Sequence, residues 1–320
     1  MNLNLVESAT LPFKAPVDTN LNLTEGENGT RVFMAWESGN FAHSSPSIVD
    51  WGTAEAVRHH KFVELAPTLL LQRRENDLFP VLVAWVGTDN HIHITYGNSL
   101  RRMFSPGFTL FQTTNYQPAL LGFQNKRYLL WWEGPDLKIA EYLGQGVVPN
   151  TNTIFTSAGF GNVGGAFQPS AAVMQATEER SSDEVFVLDQ LGAISKGNSV
   201  LHVNRSTDLI NWQFSLLRLQ RAIAPRPVIV SFKDRLYIFY AGFVPDNTVR
   251  YLSSTDGITW SAEQDLPVDT SVDPSGLAGV AGGIGVARQG VARQFDRLVV
   301  VWITHQHSTS PDDILISVYS

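Results

Sequence analysis

Carboxylates that could act on a ligand recur at one position of the chain, directly after short apolar runs. Glu37 follows "RVFMAW", Glu133 follows "RYLLWW", and Asp189 ends "EVFVLD". No packing requirement shared by these runs explains a carboxylate there. Two carboxylates that face one another can cleave a glycosidic bond, one as the acid and the other as the base or nucleophile. The candidate catalytic residues are therefore Glu133 with Glu37 or Asp189, with Arg226 as a clamp for an anionic group.

Aromatic and amide side chains accompany these carboxylates at strand ends and strand starts. Aromatic rings stack on sugar rings, and amides and charged groups bond to hydroxyls. The predicted ligand-binding residues are Trp36, Trp132, Tyr116, Gln117, Phe167, Gln168, Arg226, Tyr240 and His305. Packing between repeats is the competing interpretation for aromatic residues that recur at one repeat position.

These candidate residues belong to an internal sequence repeat of about 50 residues. Pro16, Pro67, Pro118 and Pro169 stand 51 residues apart, and Pro227 and the glycine-rich "AGGIGVAR" mark two further units. After each mark come an apolar run, a Gly/Asp-rich loop and an alternating strand such as "HIHITYG" or "TVRYLSS". Alternation with a period of two, β-branched residues and frequent turn residues predict an all-β fold.

Repeats of this size must stack on their neighbours, and radial stacking gives a β-propeller. We predict one domain over residues 1–320, a six-bladed propeller of four-stranded blades; five blades are the alternative. The last unit ends at its third strand, "ILISVYS", so the N-terminal "NLNLVESATLPF" is expected to complete the last blade. In such blades the start of the first strand and the loop between the second and third strands share one face. The ligand site is expected on that face, at the mouth of the central channel.

Two turns resemble a known motif. Ser254, Asp256, Gly257 and Trp260 in "STDGITW", and the related "STDLINW" at 206–212, resemble the Asp box of sialidase-like propellers in a form one residue shorter. The resemblance implies the propeller fold, with these turns between third and fourth strands and away from the ligand site. The sialidase Arg-Ile-Pro motif is not matched, because the first unit has Lys14-Ala15-Pro16. Segments such as "LYIFYAG" resemble segments of furanosidase-like hydrolases. However, none of the five repeated prolines is directly preceded by an aspartate.

The composition of the chain argues against some classes of binding partner. The net charge of −7 and the pI near 5.6 argue against nucleic acid. No apolar run of about 18 residues suggests a membrane span, and the N-terminus lacks the features of a signal peptide. A cytoplasmic protein is therefore expected, unless a leader has been removed. The absence of cysteine excludes disulfides and thiolate metal sites.

The leading functional hypothesis is lectin-like recognition of a carbohydrate or small polar ligand at the channel mouth. A propeller enzyme acting on glycosides is the alternative, and a protein-interaction scaffold is the second alternative. The sequence leaves catalysis open and predicts no cofactor. Histidine pairs such as His91 and His93 share a strand face, yet we predict no metal site, because solvated imidazoles are commoner there. Oligomeric state is not defined by the sequence, and a monomer is compatible with it.

Overall fold

A computed structural model describes most of the chain as strands and turns, with no helix in the described part. The described residues are 3–15, 21–25, 32–36, 40–43, 55–56, 68–71, 81–98, 103–104, 107–157, 168–178, 180–191, 199–221, 223, 226–242, 248–269, 284–291, 294–303 and 312–320. Within these ranges no helix is long and apolar enough to cross a membrane.

The described strands pair into six antiparallel sheets, numbered here by their first strands along the chain. The first sheet contains β2 (Leu21–Glu25), β3 (Val32–Trp36), β4 (Asn40–His43) and β5 (Glu55–Ala56). The second contains β6 (Thr68–Leu71), β7 (Val81–Val86), β8 (His91–Asn98), β9 (Met103–Phe104) and β10 (Phe108–Thr113). The third contains β11 (Ala119–Phe123), β12 (Lys126–Glu133), β13 (Asp136–Glu141) and β14 (Asn152–Thr156).

The remaining three sheets follow the same order of strands. The fourth contains β15 (Ser170–Met174), β16 (Glu184–Leu191), β17 (Val200–Ser206) and β18 (Gln213–Arg218). The fifth contains β19 (Val228–Phe232), β20 (Arg235–Ala241), β21 (Val249–Ser254) and β22 (Gln264–Asp265). The sixth contains β23 (Ile284–Val291), β24 (Gln294–Ile303), β25 (Asp312–Tyr319) and β1 (Leu5–Ala15).

The first strands of the sheets surround a common axis. Each of β2, β6, β11, β15, β19 and β23 contacts the next one along the chain, and β23 contacts β2. Four-stranded sheets arranged radially in this way form a β-propeller. The prediction of an all-β propeller of four-stranded blades is therefore confirmed.

Burial on both faces explains the long apolar runs of the second strands. Trp131 packs toward the second sheet and Trp132 toward the fourth, although they are neighbours in β12. Every residue of β7 is likewise buried, whereas the outer strand β18 is largely exposed. A strand whose two faces both pack against neighbouring sheets therefore has an almost continuous run of hydrophobic residues.

The two ends of the chain meet in the sixth sheet, as predicted. β1 pairs antiparallel with β25, from Leu5 opposite Tyr319 to Ala15 opposite Asp312. Main-chain hydrogen bonds run both ways between Asn4 and Ser320, at 3.3 and 3.0 Å. The outer strand of this sheet therefore comes from the N-terminus and its other three strands from the C-terminus.

The repeated prolines directly precede the first strand of a sheet in part of the chain. Pro118, Pro169 and Pro227 directly precede β11, β15 and β19. Pro16 and Pro67 lie outside the described residues, and β2 begins only at Leu21.

The two Ser/Asp turns connect the third and fourth strands of the fourth and fifth sheets, as predicted. Ser254 Oγ accepts hydrogen bonds from the Asp256 and Gly257 main-chain N–H groups and donates one to Asp256 Oδ1. Asp256 Oδ1 in turn accepts the N–H groups of Ile258 and Thr259, both at 2.8 Å. Trp260 belongs to the turn, because β22 begins only at Gln264.

Ser254→Ala is expected to lower the free energy of unfolding by about 1–2 kcal/mol. The substitution removes the acceptor of the buried Gly257 N–H. Urea denaturation would measure the loss. Thr255→Ala, an exposed change in the same turn, is the control and should cost less than half as much. Equal costs for the two variants would contradict this role of the Ser254 hydroxyl.

Candidate functional site

The channel mouth where the first strands begin, called the proximal mouth, holds a cavity of about 110 Å³. Two of the predicted ligand-binding residues, Gln168 and Arg226, line it. Arg226 has a φ of +77°, a left-handed conformation that is uncommon for residues with a Cβ atom. Ser170 also lines the cavity, and its Oγ accepts the Ile229 N–H at 3.0 Å.

Four other predicted ligand-binding residues do not line the proximal cavity, because they pack between sheets. Trp132 and the half-buried Tyr116 contact the hydrophobic core between the third and fourth sheets. Tyr240 is fully buried between the fourth and fifth sheets. Gln117 is buried, and its side-chain amide donates a hydrogen bond of 3.2 Å to the Ala84 carbonyl oxygen. Of the other candidates, Glu37, Phe167, His305 and the Trp36 side chain lie outside the described part of the chain.

The two described candidate carboxylates point to different neighbours. Glu133 is exposed and lies two residues after Trp131, on the strand face that packs toward the second sheet. Asp189 lies two residues after Val187, on the face that packs toward the third sheet. Because side chains alternate along a strand, Glu133 and Asp189 do not converge on one ligand position.

Asp189 occupies a position that is aromatic in neighbouring sheets. The strand registers make four residues equivalent, namely Trp85, Trp131, Asp189 and Tyr240. All four are buried, and neither oxygen of Asp189 has a hydrogen-bond partner of good geometry. Burial raises the pKa of Asp189 to about 7, although the main-chain N–H of Gln190 opposes the rise. A carboxyl that keeps its proton near neutral pH in this way can remain inside an apolar interface.

His202 is the cross-strand neighbour of Asp189. Its ring meets Phe155 edge to face at 4.5 Å between centroids and stacks with Phe214 at 6.2 Å. Burial lowers the pKa of His202 to about 4, so its imidazole is neutral at physiological pH. The pair therefore consists of two buried titratable groups whose pKa values are both shifted in favour of the neutral form.

A second polar network lies on the second sheet. His93 Nε2 is 3.1 Å from Asp89 Oδ1, and His93 Nδ1 is 3.1 Å from Thr109 Oγ1. The ring also stacks on Trp85, at 5.5 Å between centroids. Within the described residues, no three histidine, aspartate or glutamate side chains are placed to hold a metal ion.

The cleft between the fourth and fifth sheets, called the 4–5 cleft, combines apolar and charged groups. It has a volume of about 440 Å³. Its apolar wall is formed by Ile258, which is 53% exposed, and by the partly buried Leu217 and Trp260. The other polar side carries Arg221 and Glu263, with Arg221 Nε 3.1 Å from Glu263 Oε2.

Several contacts fix the Glu263 carboxylate. The Gln220 main-chain N–H donates to Glu263 Oε1 at 3.0 Å. Burial, and then the charge and hydrogen bonding of Glu263, raise the pKa of Tyr240 far above its ordinary value, while Arg250 and Arg221 oppose this. The Tyr240 hydroxyl therefore stays protonated beside Glu263. The carboxylate is held in place before any ligand arrives, which lowers the entropic cost of binding.

The candidate residues predicted from the sequence do not include Glu263, Ile258 or Leu217. The turn that carries Ile258 and Trp260 resembles a structural motif and was assigned to the face away from the ligand. The alternation in "QFSLLR" places Leu217 on the face of β18 toward the fifth sheet, whereas the exposed Phe214 and Leu216 lie on the face toward the third sheet.

No protein-family model and no curated protein matches the sequence. Solved structures do share its fold. The complex of the GH93 alpha-L-arabinofuranosidase of Fusarium graminearum with arabinobiose has a TM-score of 0.64 at 11% identity, covering 98% of this chain and 97% of that one. AofleA from Arthrobotrys oligospora has a TM-score of 0.62 at 9% identity, covering 97% and 92%.

A third similar structure is the fucose-specific lectin from Aleuria aurantia, with a TM-score of 0.55 at 10% identity. It covers 95% of this chain and 97% of the lectin. At these identities the similarity concerns architecture and not the residues of a site. Together with the sheet topology, the comparisons identify the chain as a β-propeller built of four-stranded blades.

Proposed function

We propose that this protein recognises carbohydrate as a lectin-like propeller, without cleaving it. The observation that carries the proposal is the 4–5 cleft, whose lining combines an apolar wall with a fixed arginine and glutamate pair. A sugar ring has apolar C–H faces and hydroxyl groups at its edge. Ile258, Leu217 and Trp260 suit the former, and Arg221 and Glu263 suit the latter.

The fold comparisons support a glycan ligand without naming it. The similar structures include a fucose-specific lectin and an arabinofuranosidase complexed with arabinobiose, so propellers of this shape serve both binding and hydrolysis. Binding without cleavage is favoured because Glu133 and Asp189, the two candidate carboxylates among the described residues, face different neighbouring sheets. The proximal mouth, with Gln168 and Arg226, is the second location for a small polar ligand.

We further infer a single six-bladed propeller, in preference to five blades, over residues 1–320. Six sheets whose first strands contact one another in a closed order support this count. The hydrogen bonds of Ser206 with Asp208 and of Ser254 with Asp256 support assignment of both turns as Asp boxes of the sialidase-like type.

A glycan-array screen followed by titration calorimetry with the best glycan tests the function. Ile258→Ser and Arg221→Gln, both changes of partly exposed side chains, are expected to weaken binding at least tenfold, or about 1.4 kcal/mol. Arg226→Gln at the proximal mouth is the matched control and should bind as the unmodified protein does. Equal urea midpoints would show that all three variants are folded.

The other outcomes are equally informative. Loss of binding in Arg226→Gln alone would move the site to the proximal mouth. Conversion of the bound glycan into shorter products would favour the glycosidase alternative. Failure to bind any glycan on a broad array would overturn carbohydrate recognition.

A further inference from the structure

The outer strand β18 gives the fourth sheet a regular edge. Its pairing with β17 contains no register shift. The pairings of the outer strands β1, β10 and β14 each include a shift, and β5 and β22 are described with two residues each. Bulges and very short outer strands are common means of preventing another strand from pairing with a sheet edge. Of the outer strands that the structure describes, β18 is therefore the one that best accepts a further strand.

The main-chain groups at this edge belong to alternate residues. The Leu219 N–H donates to the Ser199 carbonyl oxygen at 2.9 Å, one pair beyond the end of the β17–β18 ladder. In an antiparallel ladder every second pair of residues exchanges both hydrogen bonds. The N–H and C=O groups of Phe214, Leu216 and Arg218 therefore point away from β17, toward the position of an added strand.

The side chains of the same three residues share the face of β18 toward the third sheet. Phe214 and Leu216 are 60% and 45% exposed. Arg218 is also exposed, and its guanidinium forms no ion pair or hydrogen bond with any residue that the structure describes. An available guanidinium suits a carboxylate, and the two apolar side chains suit apolar neighbours on an adjacent strand.

We propose that the β18 edge binds an extended peptide segment of a partner protein, which adds an antiparallel strand to the fourth sheet. The segment carries an acidic residue opposite Arg218 and apolar residues opposite Leu216 and Phe214, and main-chain hydrogen bonds hold it in place. An interface between two folded proteins uses about 20–30 residues on each side, whereas this edge has six. An extended segment therefore suits the edge better than a second copy of the chain does.

Calorimetry with the peptide acetyl-Glu-Thr-Val-Thr-Val-Thr-amide tests the proposal on the full chain. Antiparallel pairing places its glutamate opposite Arg218 and its valines opposite Leu216 and Phe214. Methylation of the main-chain nitrogen of the first valine removes an N–H that points at β18, and should weaken binding about tenfold. The same methylation of the next threonine, whose N–H points away from β18, is the matched control and should change the affinity little. Glutamine in place of the glutamate should weaken binding about threefold.

Two protein variants test the side chains on the β18 edge. Arg218→Gln should bind the glutamate and glutamine peptides equally. Leu216→Ser should weaken binding of both peptides about fivefold, because it removes apolar contact area. Phe111→Ser changes a 93% exposed side chain on the outer strand β10, and is the matched control that should keep the affinity of the unmodified protein. Equal urea midpoints would show that the variants are folded.

Three results would overturn the proposal. They are no binding of the peptide at millimolar concentration, equal effects of the two methylations, and a dimer in light scattering that Leu216→Ser converts to a monomer. The last result would assign the edge to a second copy of the chain. The methylated peptides are compared on the unmodified protein, so that comparison does not depend on the folding of any variant. A glycan screen without binding would leave these expectations unchanged, so the two proposals fail separately.

Discussion

Asp189→Asn is expected to stabilise the protein at pH 7.5 by up to about 4 kcal/mol and to leave it nearly unchanged at pH 4. Burial raises the pKa of Asp189 from 3.8 to about 7. Between these values the folded protein holds a proton that the unfolded chain has released, so stability falls as the pH rises and is constant above about 7. Each pKa unit is worth about 1.4 kcal/mol, and asparagine removes this cost because it does not ionise.

His202 imposes the opposite dependence on pH. Burial lowers its pKa from 6.5 to about 4, so the unfolded chain binds a proton that the folded protein excludes. Stability therefore rises by about 3 kcal/mol as the pH rises from 4 to 6.5. The contributions of Asp189 and His202 nearly cancel over this range, and the unmodified protein should show a flat profile there.

Urea denaturation at pH 4, 5.5 and 7.5 separates the two contributions. In Asp189→Asn, the free energy of unfolding should increase with pH. In His202→Phe, it should decrease with pH; phenylalanine suits this site because Phe155 and Phe214 surround it. Glu178→Gln, a change of an exposed carboxylate, is the control and should keep the flat profile. Parallel curves for Asp189→Asn and the unmodified protein would contradict the burial of an orphaned carboxyl.

The fold could be predicted from the sequence because local rules repeat along it. The second strands β7 and β12 are buried on both faces over most of their length, so runs such as "PVLVAW" and "RYLLWW" indicate the middle of a sheet. The pairing of β1 with β25 could also be predicted, since a last unit that lacks an outer strand must find one elsewhere. Both inferences depend on hydrogen-bond and burial requirements that each sheet must satisfy by itself.

The candidate site could not be predicted as well, because its residues are defined by packing between sheets. Trp132 and Tyr240 stand at strand ends, where the sequence does not distinguish a channel mouth from a sheet interface; both are buried in interfaces. Arg221 and Glu263 meet across two sheets, and neither residue stands in a local motif that reveals the other. Asp189 was selected for its charge, yet its position is one where other sheets bury an aromatic ring.

Gly257→Ala is expected to lower the free energy of unfolding by about 3 kcal/mol, through two effects that add. Gly257 has a φ of +69°, which a residue with a Cβ atom adopts only with strain. A Cβ there would also overlap Cε1 of Phe186 and lie 2.9 Å from its Cδ1. Phe186 is fully buried in the core between the fourth and fifth sheets, so its ring has little room to move.

The equivalent turn of the fourth sheet provides the matched comparison. Leu209 stands at the corresponding position with a φ of +62°, and its side chain is buried in the core shared with the third sheet. Leu209→Gly relieves the strained backbone but removes this packing, so a smaller net loss of about 1–2 kcal/mol is expected. Urea denaturation measures both variants, and a loss below 1 kcal/mol for Gly257→Ala would contradict tight packing of the turn against Phe186.

The same substitution connects packing to the proposed site. Gly257 immediately precedes Ile258, and the turn also places Trp260 on the wall of the 4–5 cleft. Displacing the turn from Phe186 therefore moves the apolar wall relative to Arg221 and Glu263. Glycan affinity should fall in Gly257→Ala but not in Leu209→Gly, because the latter turn packs on the third sheet and contributes no residue to the cleft lining.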